Sequence, residues 1–184
     1  MGILNDGINE VIATTRINAA PMGIIGRGGR FRMVCFLGSH TERNIARDRW
    51  VVANIVHDPV LYVQSAFTAL PAGAFCEENV NGIPMTRLID AEAWVAFSVI
   101  VGKRGTDSMT VRLVPVCEKV VVCKPHPVNR GFCAIIEAAV HGTRYRISQD
   151  PALKDQIDSL RAIVRKCGGL REQEALTLLD TFIS

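Results

Sequence analysis

Seven short runs rich in β-branched and aromatic residues occupy residues 8–123, and their spacing restricts the fold more than any other feature. Each run is bounded by turn-forming residues, as strands are. They read INEVIATT (8–15), AAPMGII (19–25), RFRMVCFL (30–37), WVVANIV (50–56), WVAFSVIVG (94–102), MTVRLVPV (109–116) and KVVVC (119–123). Such a series predicts a barrel or a sandwich. Between the strands we expect a short helix near residues 40–48, a turn at Asp58 and Pro59, and an excursion or lid over residues 70–85.

The stretch KPHPVNRG (124–131) ends the strand pattern, and three helical segments are predicted after it, over residues 130–141, 151–167 and 170–183. A proline at an early helical position opens the second helix, and the glycines of KCGGL (166–170) end it before the third. The sequence therefore predicts a mainly β fold with α, in which residues 1–125 form the β unit and residues 126–184 form a helical extension packed on it.

Composition places the chain among folded proteins without a membrane span. Hydrophobic residues make up 48% of the 184 positions and charged residues 21%, which excludes a disordered chain and a solvated coiled coil. No apolar run approaches the roughly 20 residues that a membrane helix needs. The amino-terminal residues lack the basic and then apolar order of a signal peptide, so a cytoplasmic location is expected.

Cysteine usage and net charge argue against metal and nucleic-acid sites. The six cysteines form no C-x-x-C pair and several lie inside apolar patterns, so we interpret them as reduced core thiols and expect no bound metal. The net charge of +3 does not demand a nucleic-acid partner. Arginine makes up 16 of the 21 basic residues, and its planar guanidinium suits phosphate and carboxylate groups. A GC-rich genome would explain the same bias, so the positions of the arginines must decide.

The glycine-rich stretch NAAPMGIIGRGGRF (18–31) raises the question of a dinucleotide-binding loop. In such a loop the glycines follow a strand and open a helix whose amino terminus faces the pyrophosphate. Here another strand pattern, FRMVCFL, follows the glycines. We therefore interpret GRGGR (26–30) as the bend of a β-hairpin, and the arginines at 27, 30 and 32 as solvated charges.

A better candidate for a phosphate site lies in GSHTERNIARDRWVVAN (38–54). Ser39 stands three residues before Glu42, the S-x-x-E form of a capping box, which places Ser39 at the cap of a short helix. An anion is favoured at such a helix start, where Thr41 adds a hydroxyl, Asn44 an amide and Arg43 positive charge. The same residues also fit an ordinary capped surface helix with solvated arginines.

Three motifs in order resemble a known family: NAAPMG (18–23), GSHTERNIARDRWVVANIVHDP (38–59) and NRGFCAIIEAAVHGTR (129–144). Together they resemble the FMN-binding split-barrel proteins, which include flavin-reductase-like and pyridoxamine-phosphate-oxidase-like domains. Within that group the chain is most similar to a small archaeal and bacterial branch with a C-terminal helical extension. The resemblance spans most of residues 8–146. It implies an antiparallel split β-barrel with a C-terminal segment of about three helices, FMN as cofactor, and a homodimer with the flavin at or near the subunit interface.

The resemblance also implies which residues hold the cofactor. In the family, the serine, threonine and asparagine of the second motif hold the flavin phosphate, which here points to Ser39, Thr41 and Asn44, with Arg43 as an ion partner. The first motif lies along the flavin, where small residues let the ring approach the backbone and its amides. These positions are Asn18, Ala19, Ala20, Pro21, Met22 and Gly23.

Three further residues keep two interpretations each. Where many relatives have lysine and aspartate leading the phosphate loop, this chain has His40, which is mostly neutral at pH 7, so the main cationic contact to the phosphate stays open. His40 fits a surface or supporting role better than that of a catalytic acid. Asn54 either supports the flavin loop or satisfies a neighbouring backbone group. Arg130 either pairs with Glu137, roughly two helical turns away, or reaches the FMN phosphate or an anionic substrate.

Two functions follow from the resemblance and the residues. The first is an FMN-dependent oxidoreductase that passes hydride or electrons through flavin N5 to a small substrate seated under the lid at residues 70–85. Bacterial relatives are associated with one-carbon metabolism that uses tetrahydromethanopterin, which suggests a pterin-like substrate. The second is a protein that binds, stores or senses FMN without turnover. A nucleic-acid module is disfavoured because no aromatic pair lies among the arginines.

Overall fold

A computed structural model describes residues 2–184 of the chain. It divides into two compact units, of which the first comprises the residues up to Val56 together with Leu70–Lys124. The second comprises His57–Ala69 together with Pro125–Ser184. The helical unit thus includes residues 57–69 as well as the C-terminal segment. The proposed domain bounds of 1–125 and 126–184 stay a prediction.

Six antiparallel strands form a closed barrel in the first unit: β1 (Gly7–Thr15), β2 (Asn18–Arg27), β3 (Arg30–Phe36), β4 (Trp50–Ile55), β7 (Ala93–Arg104) and β8 (Ser108–Val120). Their order around the barrel is β1-β2-β3-β8-β7-β4. A short helix, α1 (His40–Asp48), connects β3 to β4. The predicted fold class, a mainly β barrel with α, is therefore confirmed.

The barrel interior is filled by alternate side chains of its strands. On β3, for example, Met33 and Cys35 are buried in this core, whereas Val34 and Phe36 point outward and are 38% and 66% exposed. Ile45 of α1 belongs to the same core cluster, so α1 is held against the barrel by its apolar face. The hairpin bend at GRGGR is confirmed, because Gly28 and Gly29 both have positive φ angles between β2 and β3.

Residues 70–88 form a second sheet rather than an open excursion. A 3-10 turn (Ala72–Ala74) leads into the antiparallel hairpin β5 (Phe75–Val80) and β6 (Ile83–Leu88). Val80 and Met85 of the hairpin pack with Trp50 and Trp94 of the barrel in one buried cluster. Such packing makes the hairpin a layer on the outer barrel face, and its role as a lid over a substrate stays a prediction.

The helical unit contains four helices, α2 (Pro59–Phe67), α3 (Arg130–Ser148), α4 (Pro151–Cys167) and α5 (Leu170–Ile183). Its core includes Val63, Ile135 and Leu179. The predicted turn at Asp58 and Pro59 is the start of α2, although Asp58 does accept hydrogen bonds from two local amides, as expected. None of the helices in the described part of the chain is long and apolar enough to cross a membrane.

Two other predicted elements differ from the structure. The runs at residues 109–116 and 119–123 are largely one strand, β8, whose pairing with β7 shifts register opposite Phe97. Helix α3 extends past His141 to Ser148, where Gln149 ends it in the left-handed conformation.

Candidate functional site

Strand β2 is paired on both sides over only part of its length. Its register with β1 runs from Asn18, opposite Thr15, to Gly26, opposite Gly7. Its register with β3 covers only residues 24–27 against residues 30–33. Residues 18–23 therefore form an open strand edge, along which alternate backbone N–H and C=O groups have no strand partner among the described residues. We call this gap between β2 and β3 the split.

The strand beside the split carries small side chains. Because side chains alternate along a strand, Ala19, Pro21 and Gly23 face outward, whereas Ala20 and Met22 face the barrel interior. A Cβ built on Gly23 would lie 3.0 Å from Cγ2 of Ile8 and 3.5 Å from Oε1 of Glu10, so the neighbouring side chains leave little space for a side chain at this position. Of the residues predicted to lie along a flavin, Ala20 and Met22 therefore direct their side chains into the barrel, and their contact with a flavin stays a prediction.

Helix α1 begins next to the split, and its start has the predicted cap. Oγ of Ser39 accepts a hydrogen bond from the Glu42 amide over 3.1 Å and donates to the Phe36 carbonyl over 2.8 Å. The amides of His40 and Thr41 precede the first possible intrahelical acceptor and point out of the helix end. These amides and the positive end of the helix dipole form an anion-binding arrangement.

Two hydrogen bonds join α1 to the end of β1 and the beginning of β2. Nδ2 of Asn18 donates to Oγ1 of Thr41 over 3.2 Å, and Nδ2 of Asn44 donates to the Thr15 carbonyl over 3.0 Å. Thr41 is only 4% exposed. The structure therefore brings the first and second sequence motifs together at one end of the barrel.

Positive charge lies at the same helix start. Nη1 of Arg43 donates to the Gly38 carbonyl over 2.6 Å, and its Nη2 lies 3.2 Å from Nδ1 of the exposed His40. Arg104, from the end of β7, lies 3.5 Å from the buried carboxylate of Glu42. Sequence reasoning did not find Arg104, because nothing in its local pattern indicates that β7 returns to α1.

The pKa values of Asp48 and Cys35 are displaced from their ordinary values. A hydrogen bond from the Arg16 guanidinium, assisted by Arg47, lowers the pKa of the Asp48 carboxyl to about 2. This pairing ties the end of α1 to the β1–β2 turn. Burial raises the pKa of the Cys35 thiol to about 12, with a smaller contribution from the carboxylate of Glu42. Cys35 is therefore a neutral core thiol, as predicted.

Asn54 is fully buried, and both ends of its side-chain amide are satisfied by the barrel and the hairpin. Its Nδ2 donates to the carbonyl of Ile12 over 2.8 Å and to Oγ1 of Thr14 over 3.0 Å. Its Oδ1 accepts from the amide of Leu88 over 2.8 Å. These contacts favour the second of its two predicted roles, satisfying neighbouring backbone groups.

Arg130 begins α3 in the helical unit, and its predicted ion pair with Glu137 is wrong. Its Nη2 donates to Sγ of Cys167 over 3.2 Å, whereas Glu137 lies 3.3 Å from Nε2 of His141. A helix places residues seven apart on one face, but residues four apart are closer neighbours. The assignment of Arg130 to a phosphate or an anionic substrate stays a prediction.

Comparison with solved structures supports the predicted family of folds. An FMN-bound protein from Methanosarcina mazei is 34% identical, with a TM-score of 0.90 over 97% of this chain and 96% of its own. An FMN-binding protein from Thermus thermophilus with bound p-hydroxybenzaldehyde is 15% identical, with a TM-score of 0.50 over 64% of this chain and 74% of its own. The flavin reductase HpaC complexed with NADP+ is 12% identical, with a TM-score of 0.50 over 65% of this chain and 83% of its own. The last two show the fold alone.

Both units also match one family in sequence. Residues 9–121 match the N-terminal domain of the family described as "Protein of unknown function (DUF447)", and residues 129–181 match a second domain under the same description. The resemblance to FMN-binding split-barrel proteins is thus confirmed, and the chain belongs to the DUF447 family.

Proposed function

We propose that this protein binds FMN, with the phosphate at the start of α1 and the ring system along the split. The observation that carries the proposal is the hydrogen bond between Asn18 and Thr41, because it joins an anion-binding helix start to an open strand edge. A flavin mononucleotide has these two requirements, several donors for its phosphate and a flat apolar surface with backbone groups for its ring. The FMN-bound relative at 34% identity supports the same assignment.

The residues present fit this group. The outward amides of His40 and Thr41 and the guanidinium of Arg43 supply donors for a phosphate dianion. The open edge of β2 has unpaired backbone amides that can donate to ring acceptors. Ser39 contributes mainly as the cap, since its hydroxyl is already engaged on both sides.

We further propose that the protein is an FMN-dependent oxidoreductase acting on a small substrate. Bound FMN would supply hydride or electron transfer through N5. The chain would hold the phosphate, orient the ring against β2 and leave the opposite face of the ring open to the substrate. Beside the split, Val34 and Phe36 of β3 provide exposed apolar surface for such a substrate or for a second protomer.

The phosphate assignment is tested by replacing Thr41 and Arg43 together with alanine. We expect the Kd for FMN to rise between several-fold and about a hundredfold, because each hydroxyl or charge-assisted contact contributes about 1–3 kcal/mol. Fluorescence quenching of added FMN measures the Kd directly. The matched control is Thr177→Ala with Arg165→Ala, which removes the same groups from exposed helical positions.

Two outcomes of this test bear on different parts of the proposal. An unchanged Kd in the double variant would show that the phosphate does not bind at α1. If the wild-type protein holds FMN that neither NADH nor NADPH reduces within seconds, a role in binding, storing or sensing FMN replaces the proposed enzymatic one.

A homodimer would cover the exposed apolar strip formed by Val34 and Phe36, which lies beside the split. Phe36 is 66% exposed, an unusual degree for a phenylalanine on a rigid strand. We expect the purified protein to have twice the chain mass at micromolar concentration, and Phe36→Glu to shift it to monomer. Light scattering after size exclusion measures both masses, and a monomeric wild-type protein would contradict the proposal.

A further inference from the structure

Arginines gather on one part of the outer barrel face, which we call the arginine face and define as Arg27, Arg30, Arg32 and Arg112. In the β2–β3 register Arg27 lies opposite Arg30, and in the β3–β8 register Arg32 lies opposite Arg112. Directly opposed residues share a face, as do residues two apart on a strand, so all four side chains project to the same side. All four residues are exposed.

None of these four guanidinium groups makes an ion pair or hydrogen bond with another described residue. Other arginines of the barrel are paired: Arg16 with Asp48, Arg87 with Glu78 and Arg104 with Glu42. The strand neighbours of the Arg32–Arg112 pair are Ile25 and Ile100, which bring no negative charge. Near the turn, Oδ1 of Asp6 accepts from the Gly28 amide over 2.9 Å, but this carboxylate forms no ion pair with the four arginines. The arginine face is therefore a concentration of positive charge that is centred on Arg32 and Arg112.

Like charges directly opposite each other on neighbouring strands destabilise a sheet. Opposed Cα atoms lie about 5 Å apart, so Arg32 and Arg112 can bring both guanidinium groups to one anion, which would compensate their charges. One carboxylate would compensate one of the four charges. Two linked phosphoryl groups bring more charge and more acceptor oxygens, and guanidinium groups bind phosphate oxygens in pairs.

We propose that the arginine face is a binding site for a diphosphate group, with Arg32 and Arg112 as its central contacts. Gly23 precedes Ile25 by two positions on β2 and Ile25 lies opposite Arg32, so the site adjoins the strand assigned to the flavin ring. The inference rests on the proposed function in one respect. With FMN along the split, a diphosphate bound at the arginine face belongs to a second ligand that can reach the flavin. The diphosphate can come from a nucleotide or from free pyrophosphate.

The test is isothermal titration of the FMN-loaded protein with ADP and, separately, with inorganic pyrophosphate at low salt. In the double variant Arg32→Gln with Arg112→Gln we expect the affinity for whichever probe binds the wild-type protein to fall at least about tenfold. The matched control, Arg49→Gln with Arg165→Gln, removes the same charge from two exposed arginines outside this face. Arg32→Lys with Arg112→Lys keeps the charge but not the paired geometry, and should lose affinity to a smaller extent.

Tighter binding of ADP than of pyrophosphate would identify a nucleotide as the source of the diphosphate, and the reverse order would identify free pyrophosphate. No binding of either probe to the wild-type protein at millimolar concentration would overturn the inference. So would an equal loss in the control variant, or a change of oligomeric mass with no change in affinity. The bound FMN is measured in every sample by its absorbance, so failure of the flavin assignment is visible separately from failure of the diphosphate site.

Discussion

Replacement of Gly131 with alanine is expected to lower the free energy of unfolding by about 1–3 kcal/mol, the range observed when a tightly packed site is overfilled. Gly131 is the second residue of α3 and is buried. A Cβ at this position would lie 2.5 Å from Cα and 2.6 Å from N of Gly168, at the end of α4. Both contacts are with backbone atoms, so no side-chain rotation relieves them. One of the two helix ends must move.

The effect of Gly131→Ala is measured by urea denaturation followed by far-UV circular dichroism, which reports the helices. Gly73→Ala is the matched control, since a Cβ there meets no atom within 4 Å. We expect the control to change the free energy of unfolding by less than about 0.5 kcal/mol. A Gly131→Ala variant as stable as its control would mean that α3 and Gly168 are not packed this closely in solution.

The glycine at position 131 illustrates what the sequence predicts and what it does not. The helix predicted over residues 130–141 is present as the first part of α3, because helical periodicity is a local property. The reason for the glycine is not local, because the backbone of Gly168, at the end of α4, packs against residue 131. A pattern within one helix cannot report which backbone crosses it.

Only a turn is predicted where α2 begins, although the start signal of a helix is present in the sequence. Asp58 at the cap followed by Pro59 is a common way to begin a helix. The segment that follows, PVLYVQSAF, mixes valine and tyrosine without a clear polar face, so its period does not separate helix from turn or strand. Burial within the helical unit decides the conformation, as Tyr62 and Val63 are almost fully buried.

The candidate site also combines features that the local sequence predicts with features that it does not predict. The cap at Ser39 is local and is predicted correctly from S-x-x-E. Only the family resemblance predicts that residues 18–23 lie close to residues 39–44. In the structure, the hydrogen bond from Asn18 to Thr41 joins these two segments. The open edge of β2 has no local signal at all, because it exists only where β3 turns away from β2 to pair with β8.

Replacement of Asn54 with leucine is expected to cost about 3 kcal/mol of folding free energy, because a buried network that loses its central member leaves several groups unpaired. Leucine has a similar volume but neither donates to Ile12 and Thr14 nor accepts from Leu88. The amide of Leu88 would then be buried without an acceptor, and the hairpin would lose a polar contact that fixes it to β4.

Tryptophan fluorescence reports this loss, since both tryptophans, Trp50 and Trp94, lie in the cluster between barrel and hairpin. Asn5→Leu is the control, an exposed asparagine whose side chain makes no hydrogen bond with a described residue, and its effect should stay within about 0.5 kcal/mol. The two predicted roles of Asn54 separate in one experiment. If Asn54→Leu unfolds at the wild-type urea concentration but holds FMN less tightly, the side chain serves the flavin. If it unfolds earlier while the folded fraction binds FMN with unchanged affinity, its role is to hold the barrel and hairpin together, as its three partners indicate.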